Sequence, residues 1–180
     1  HDYKPHFDND PFGFTNIHLV PDYTVLNLAE KNILCIGGAV SVDREYRYTR
    51  KQKMGIFENT TLGVESWWPD EAFILDRDKL GEMRNIDIVV THTAPDYCTP
   101  DNKMGLGYFV NNIIKETGDE ALRTDLLIER NLMTEAFTIL RLNNNPEYHY
   151  YGHFHKSDTL NMYGTQHRLL GVGELWEERG

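Results

Sequence analysis

The segment "IDIVVTHTAPD", residues 86–96, constrains the fold more than any other part of the sequence. It is a continuous apolar run that stops at a polar turn and Pro95. Such a run is typical of a strand that is covered on both faces, as happens when a parallel sheet lies between other layers. We therefore predict a strand in the interior of a layered protein.

Two other stretches predict helices. The longest periodic stretch, "DEALRTDLLIERNLMTEAFTILRLNN" (residues 119–144), has its apolar residues near helical spacing, and it predicts one or two helices that end at the Asn143–Pro146 stop. In "WWPDEAFILDRDKLGEM", Pro69 suits a first helical turn and the acidic residues after it suit a helix N-terminus. This second pattern predicts a helix over about 69–80.

Short strand signals lie before and after these helices. Before them the predicted strands are 17–20, 24–28 and 32–36, with "AEKN" as a hairpin turn and Gly37–Gly38 ending the last one; after them the predicted strands are 147–151, 159–163 and 168–172. Strands and helices thus alternate along the chain, which indicates a layered α/β sandwich. At 180 residues the chain is about one domain long, so we predict a single domain over residues 1–180.

Charge and composition exclude several classes of function. The formal net charge of −10 disfavours a long nucleic acid as a partner, because the bulk surface would repel a polyanion. No stretch approaches the roughly 20 apolar residues of a membrane span, and no signal segment opens the sequence, so we predict a cytoplasmic protein without a membrane partner. Cys35 and Cys98 lack a CxxC spacing, which predicts buried small side chains rather than a disulfide framework or a zinc knuckle.

Histidines concentrate in "EYHYYGHFHKSD", residues 147–158. His153 and His155 directly follow a predicted strand, as His92 does, and the carboxyl ends of such strands are where ligands usually bind. If the chain stays extended there, His153 and His155 project to the same side. Imidazole suits Zn, Mn, Fe and Ni. We therefore predict that His92, His153 and His155 bind metal.

A structural role is the alternative for each histidine taken alone, because a histidine at the end of a strand is often simply hydrogen-bonded. Four further histidines have no partner pattern in the sequence and are predicted to be structural: His6, His18, His149 and His167.

Three of these segments, in their order along the chain, resemble a known family. "HD" at residues 1–2, "DIVVTHTAP" at 87–95 and "YGHFH" at 151–155 are similar to the last three motifs of the calcineurin-like metallophosphoesterases. "GGAVSVDREYR", residues 37–47, also resembles the GGA segment that many members carry between the first two of these. The resemblance covers essentially the whole chain and implies a four-layer α/β/β/α sandwich.

The sequence departs from the family pattern at its beginning. The family's two earlier motifs, DxH and GDxxD, are absent from this sequence, and so is the Asn that precedes the His of the third motif. We expect that further residues, with the first strands of the sandwich and the remaining metal ligands, precede His1.

The resemblance implies a role for each matching residue. His92 and His153 match ligands of one metal ion, and His155 matches a ligand of a second, with Mn, Fe, Zn and Ni all suitable. His1 matches the histidine that protonates the leaving oxygen, and Asp2 would orient it. The expected cofactors are thus two divalent ions.

The implied reaction is hydrolysis of a phosphomonoester or phosphodiester by a hydroxide that bridges the two ions. The substrate would be a small phosphorylated compound or a phosphoprotein, with specificity set by loops at 1–16, 41–66 and 96–112. Two alternatives remain open: a non-catalytic scaffold with the same fold, and a mononuclear zinc module that uses His92, His153 and His155.

Two weaker predictions concern substrate contacts. Arg44, with Arg47 in the same basic loop, could bind a second phosphate or belong to a solvated surface. Trp67 and Trp68 could stack on a nucleobase or pack against the protein.

Overall fold

The computed structural model of the protein describes residues 20–45, 71–101 and 105–177. Its elements in chain order are β1 (Thr24–Leu28), β2 (Lys31–Ile36), α1 (Arg77–Glu82), β3 (Ile88–Thr91), α2 (Gly105–Thr117), α3 (Ala121–Arg141), β4 (Tyr148–Tyr151), β5 (Asp158–Met162) and β6 (Thr165–Leu169). The described ranges contain no helix that is both long and apolar enough to cross a bilayer. The predicted α/β class is confirmed.

The strands form one sheet in the order β1-β2-β3-β4-β6-β5. The four central strands are parallel, and an antiparallel strand lies at each edge. Ile36, Thr91 and Tyr151 pair across the ends of β2, β3 and β4. Because parallel strands end at the same edge, the residues that follow these three strands meet there.

One face of the sheet carries the main core. Leu34, Ile36 and Val89 point to this face and pack with Leu80 of α1 and with one stripe of α3. That stripe follows the helical period, so α3 buries one side and leaves the other in solvent. Its buried apolar members that join this core are Met133, Ala136, Phe137 and Leu140. Each large apolar side chain buried in this way stabilises the fold by roughly 1.5–3 kcal/mol.

The opposite face of the sheet is only partly covered, which corrects one prediction. β3 alternates between buried and accessible positions, and Val90 is 38% exposed, so this strand is not buried on both faces. Cys35 is half-buried on the same face, and the rings of Tyr148 and Tyr150 stack there with centroids 6.3 Å apart. The residues that the structure describes form one sheet, and the second sheet of a four-layer sandwich is not among them.

Two element boundaries differ from their predictions for identifiable reasons. The helix predicted over 69–80 begins only at Arg77, because Asp76 caps it by accepting a 3.0 Å hydrogen bond from the Lys79 backbone. The last strand is β6 rather than 168–172, because Tyr163 and Gly164 both have positive φ (53° and 81°) and make a tight hairpin.

The other predicted segments agree with the observed elements, differ from them in part, or lie outside the described residues. The first strand agrees in full with its prediction, the helix predicted within 119–144 is α3, and half of the predicted loop 96–112 lies in α2. The predicted strand 17–20 lies almost wholly outside the described residues.

Gly38, just beyond β2, is required by two constraints. Its φ is +91°, and a Cβ atom there would lie 2.9 Å from the backbone of Ala72 and Phe73. The neighbouring Ala39 donates a 2.8 Å hydrogen bond to the Glu71 carbonyl, which fixes this close approach. Glycine is the residue that meets both constraints, because it has no Cβ and adopts positive φ without strain.

Gly38→Ala should lower the free energy of unfolding by about 2 kcal/mol, because it adds both a clash and a strained φ. Gly81→Ala is the matched control: Gly81 lies in α1 and a Cβ there meets nothing within 4 Å. The control should raise stability by at most about 1 kcal/mol. Urea unfolding followed by circular dichroism measures both, and equal effects would contradict the packing described for Gly38.

Candidate metal site

His92 and His153 meet at the carboxyl edge of the sheet. His92 directly follows β3 and His153 lies two residues after β4. Their rings contact edge to face, with centroids 4.9 Å apart. The parallel pairing of β3 with β4 brings them together, because it aligns the ends of the two strands. The structure thus joins two of the three histidines predicted to bind metal.

The chain around His155 is not extended, which corrects the assumption made for it. His153 and His155 have φ values of +67° and +51°, in the left-handed region that residues other than glycine seldom adopt. His155 is exposed whereas His153 is half-buried. His155 nevertheless lies near enough to lower the pKa of both His92 and His153. The three rings therefore share one region without projecting to a single side.

His153 carries a buried nitrogen without a partner. Its Nε2 is inaccessible to solvent and makes no hydrogen bond, while the Val40 backbone lies near enough to the ring to raise its pKa. Burial, the nearby His92 ring and His155 lower the pKa of His153 to about 4, so the ring is neutral at pH 7. A neutral imidazole held by a backbone group on one nitrogen and bare on the other is the usual state of a metal ligand.

His92 is also held in its neutral form. His92 is exposed at the surface, yet desolvation of its ring by the surrounding protein lowers its pKa, and the nearby His155 lowers it further. Two neutral imidazoles side by side offer lone pairs and carry no charge that would repel a cation.

Glu129, a buried carboxylate on α3, fixes the segment that contacts His153. Its side chain is 3% exposed, and its Oε2 accepts a 2.6 Å hydrogen bond from the Val40 backbone. Burial raises its pKa, and hydrogen bonding with Thr93, Val40 and Phe73 opposes that rise. The Thr93 hydroxyl lies close to this carboxylate without a well-aligned hydrogen bond. Glu129 thereby links the segment after β2 to the segment after β3.

Arg130, the next residue of α3, holds the other loop of the site. Its side chain is fully buried, and Nη2 donates 2.6 Å hydrogen bonds to the carbonyls of Pro95 and Cys98. Its guanidinium carbon also lies 4.9 Å from the ring centroid of Phe154. Arg130 therefore joins the loop after β3 to the histidine-rich loop after β4.

A second group of residues of the metal-ligating type lies in the core, and it includes two histidines, His149 and His167, that were predicted to be structural. Cys98, His149 and His167 each offer a ligand atom, and these atoms lie within 4.8 Å of one another. The part of the chain that the structure describes holds no other such group of three or more. The available signal was that His149 falls within a predicted strand and His167 directly precedes one, but their direct pairing across β4 and β6 requires the sheet order.

Arg44, predicted as a possible substrate contact, is engaged with carboxylates. Its guanidinium donates to Asp119 at 2.6 and 3.0 Å and pairs with Asp125 at 2.7 Å. Each of its three nitrogens therefore already has a carboxylate partner. These contacts keep the pKa of Arg44 raised and tie the segment after β2 to α3. A substrate contact through Arg44 stays a prediction. His1, Asp2, Trp67 and Trp68 lie outside the described residues.

A surface groove lies apart from the histidines. It measures about 540 Å³ and is lined by residues such as Glu147, Asn161 and Tyr163. These residues lie where β4 and β6 begin, whereas His92 and His153 lie where β3 and β4 end. The groove is thus at the opposite edge of the sheet.

No protein-family model matches the chain, and no curated protein matches it. The resemblance to the metallophosphoesterases therefore depends on the three ordered motifs.

Arg130→Met should lower the free energy of unfolding by about 3 kcal/mol, because it leaves two buried carbonyls without donors. Arg77→Met is the matched control, since Arg77 is exposed and pairs with Glu135 on the surface. The control should change stability little. Both are measured by urea unfolding, and an equal loss in the two variants would show that Arg130 does not brace the loops.

Proposed function

We propose that the protein is a metal-dependent phosphoesterase that hydrolyses a phosphomonoester or phosphodiester with two divalent ions. The observation that carries the proposal is the bare, buried Nε2 of His153 beside the ring of His92 at the carboxyl edge of a parallel sheet. The order of the three motifs along the chain supports it.

The described residues fit divalent ions of the Mn, Fe, Zn or Ni type. His92 and His153 would hold one ion, and His155, which is exposed and apart, would hold the other. These three histidines are not packed as one tight set, whereas the atoms of the Cys98 group are within 4.8 Å of one another. That looser spacing suits ligands divided between two ions. When bound, such ions lower the pKa of a shared water and neutralise phosphate charge.

The chain's own residues would orient the ligands and move one proton. The Val40 backbone holds the His153 ring, and Glu129 holds Val40 in turn. Orientation of this kind keeps the bare nitrogen aimed at the site and raises its affinity for a cation. In the role implied by the resemblance, His1 would donate a proton to the leaving oxygen, oriented by Asp2.

The four-layer sandwich is part of the same proposal. The partly covered face of the sheet carries apolar or aromatic side chains, among them Cys35, Val90 and Tyr150. A second sheet packed on this face would remove those side chains from water at a gain of roughly 25 cal/mol per Å² of apolar area. Inter-sheet packing of this kind is what the family fold implies.

The test compares single alanine variants of the histidines in the protein supplied with Mn²⁺. His155→Ala is the cleanest variant, because its exposed side chain contributes little to folding. His92→Ala, His153→Ala and His155→Ala should each reduce bound metal and abolish hydrolysis of p-nitrophenyl phosphate and bis(p-nitrophenyl) phosphate. His1→Ala should lower turnover by about 10²- to 10⁴-fold and leave bound metal nearly unchanged. Elemental analysis and initial rates are the measurements.

Three outcomes would contradict the proposal. Unchanged metal content in folded His155→Ala would remove His155 from the ligands, and equal metal loss in His1→Ala would overturn the division of roles. Metal binding without hydrolysis of either ester would favour the non-catalytic scaffold. Circular dichroism of each variant separates loss of ligand from loss of fold.

A further inference from the structure

The strands that carry the candidate site also carry a second, wholly buried group of ligands. Cys98, His149 and His167 are each 0% exposed. His149 and His167 face each other from β4 and β6, with their Nδ1 atoms 2.8 Å apart. Phe137 of α3 packs on both rings, at centroid distances of 4.6 and 5.6 Å. None of these three residues belongs to the site proposed above.

The hydrogen bonds around His149 determine where its proton lies. The Thr91 hydroxyl donates its single proton to the Thr93 carbonyl. Thr91 Oγ1 can therefore only accept from His149 Nε2, which lies 2.7 Å away. His149 is thus protonated at Nε2 and bare at Nδ1, because burial keeps its pKa well below the usual value and the ring neutral. Its bare nitrogen points at His167.

The neutral His167 ring cannot satisfy both of its nitrogens. If its proton is on Nδ1, it donates to His149 and leaves a bare Nε2, which is buried without a well-aligned partner. If its proton is on Nε2, the Met162 backbone lies near enough to raise its pKa but makes no well-aligned hydrogen bond with that nitrogen, and two bare Nδ1 atoms then face each other. The first arrangement leaves one buried nitrogen unsatisfied and the second leaves at least two, at a cost of about 1–3 kcal/mol for each.

We propose that Cys98, His149 and His167 form a second metal site, which binds one transition-metal ion of the zinc type in the core. An ion between the two facing Nδ1 atoms would use both lone pairs, and the Nε2 proton of His149 would keep its acceptor, Thr91 Oγ1. Cys98 completes the set as a thiolate, whose proton passes to solvent when the ion binds. Thiolate and imidazole together favour zinc over harder ions such as Mg²⁺.

The observed spacing requires little movement. With Zn–N near 2.0–2.1 Å and Zn–S near 2.3 Å, two ligands of a tetrahedral ion lie about 3.3–3.6 Å apart. The imidazole nitrogens are 2.8 Å apart and the widest ligand pair is within 4.8 Å, so shifts of about 1 Å are sufficient. Burial raises the pKa of the Cys98 thiol to about 12, and the nearby charge of Arg130, which donates to the Cys98 carbonyl, opposes part of that rise, so the thiol would lose its proton only when the ion binds.

Binding of Co²⁺ distinguishes this site from the first one. Thiolate ligation of Co²⁺ gives a charge-transfer absorption in the near ultraviolet, and the histidines proposed for the first site supply no thiolate. Because the group is fully buried, the protein should be refolded from denaturant with Co²⁺ present and then passed through a desalting column. We expect this absorption in the unaltered protein at about one equivalent, and its loss in Cys98→Ser.

Three further variants make the result decisive. Cys35→Ala removes the other cysteine of the chain and should keep the absorption. His155→Ala should also keep it, since His155 belongs only to the first site. His167→Asn retains Cys98 and should lose most of the absorption, which guards against a folding defect specific to Cys98→Ser.

The opposite results would overturn the proposal. An unaltered protein that refolds with Co²⁺ and shows no thiolate absorption has no such site. Absorption that disappears in Cys35→Ala, or in folded His155→Ala, would place the bound ion elsewhere. Neither result bears on phosphoesterase activity, so the two proposals fail separately.

Discussion

Two consecutive charged residues in the middle of α3 hold the candidate site together. Glu129 and Arg130 are both buried, and neither could be there without partners, because an unpaired buried charge costs several kcal/mol. Their partners are backbone groups of loops rather than other side chains. Since adjacent positions on a helix point in different directions, one residue reaches the segment after β2 and the other reaches the loop after β3.

This arrangement explains why α3 must lie where it does. Its apolar stripe of Met133, Phe137 and Leu140 packs on the sheet, and this packing sets the position of the helix relative to the strands. Glu129 and Arg130 lie about one turn earlier on the same helix, at the carboxyl edge of the sheet. The core therefore fixes the position of the helix, and the helix fixes the loops that follow the strands. The position of the His153 ring therefore depends on core packing some distance away from it.

The parts of the fold and of the candidate site that depend on a local sequence pattern could be predicted. The apolar period of α3, the strand at Thr24–Leu28 and the histidines at the ends of β3 and β4 were all visible in local composition. The helix α1 begins at Arg77 because Asp76 caps it, whereas the predicted start at about residue 69 depended on Pro69 and the acidic residues after it. The positive φ values of His153 and His155 could not be foreseen, because only a small minority of histidines adopt positive φ.

Contacts between residues on different strands could not be predicted from local patterns. His149 and His167 are 18 residues apart and become direct neighbours only because β6 pairs in parallel with β4, and Cys98 joins them from a loop. The buried roles of Glu129 and Arg130 were also hidden, since charged residues inside an amphipathic stretch ordinarily belong to its solvated side. The order of the strands and the position of α3 on the sheet are set by the whole chain. The contacts of Cys98, His149 and His167 and those of Glu129 and Arg130 depend on them.

The two groups of ligands are physically connected through Thr91 and Thr93. Thr91 ends β3 and binds His149 on one side and the Thr93 carbonyl on the other, so the residue between them, His92, is flanked by fixed neighbours. The Thr93 hydroxyl also lies beside Glu129, which holds Val40 and through it His153. Tightening the core group by an ion would therefore restrain the loop that presents His92. A buried ion of that kind would act by positioning ligands of the exposed site, without contacting anything bound there.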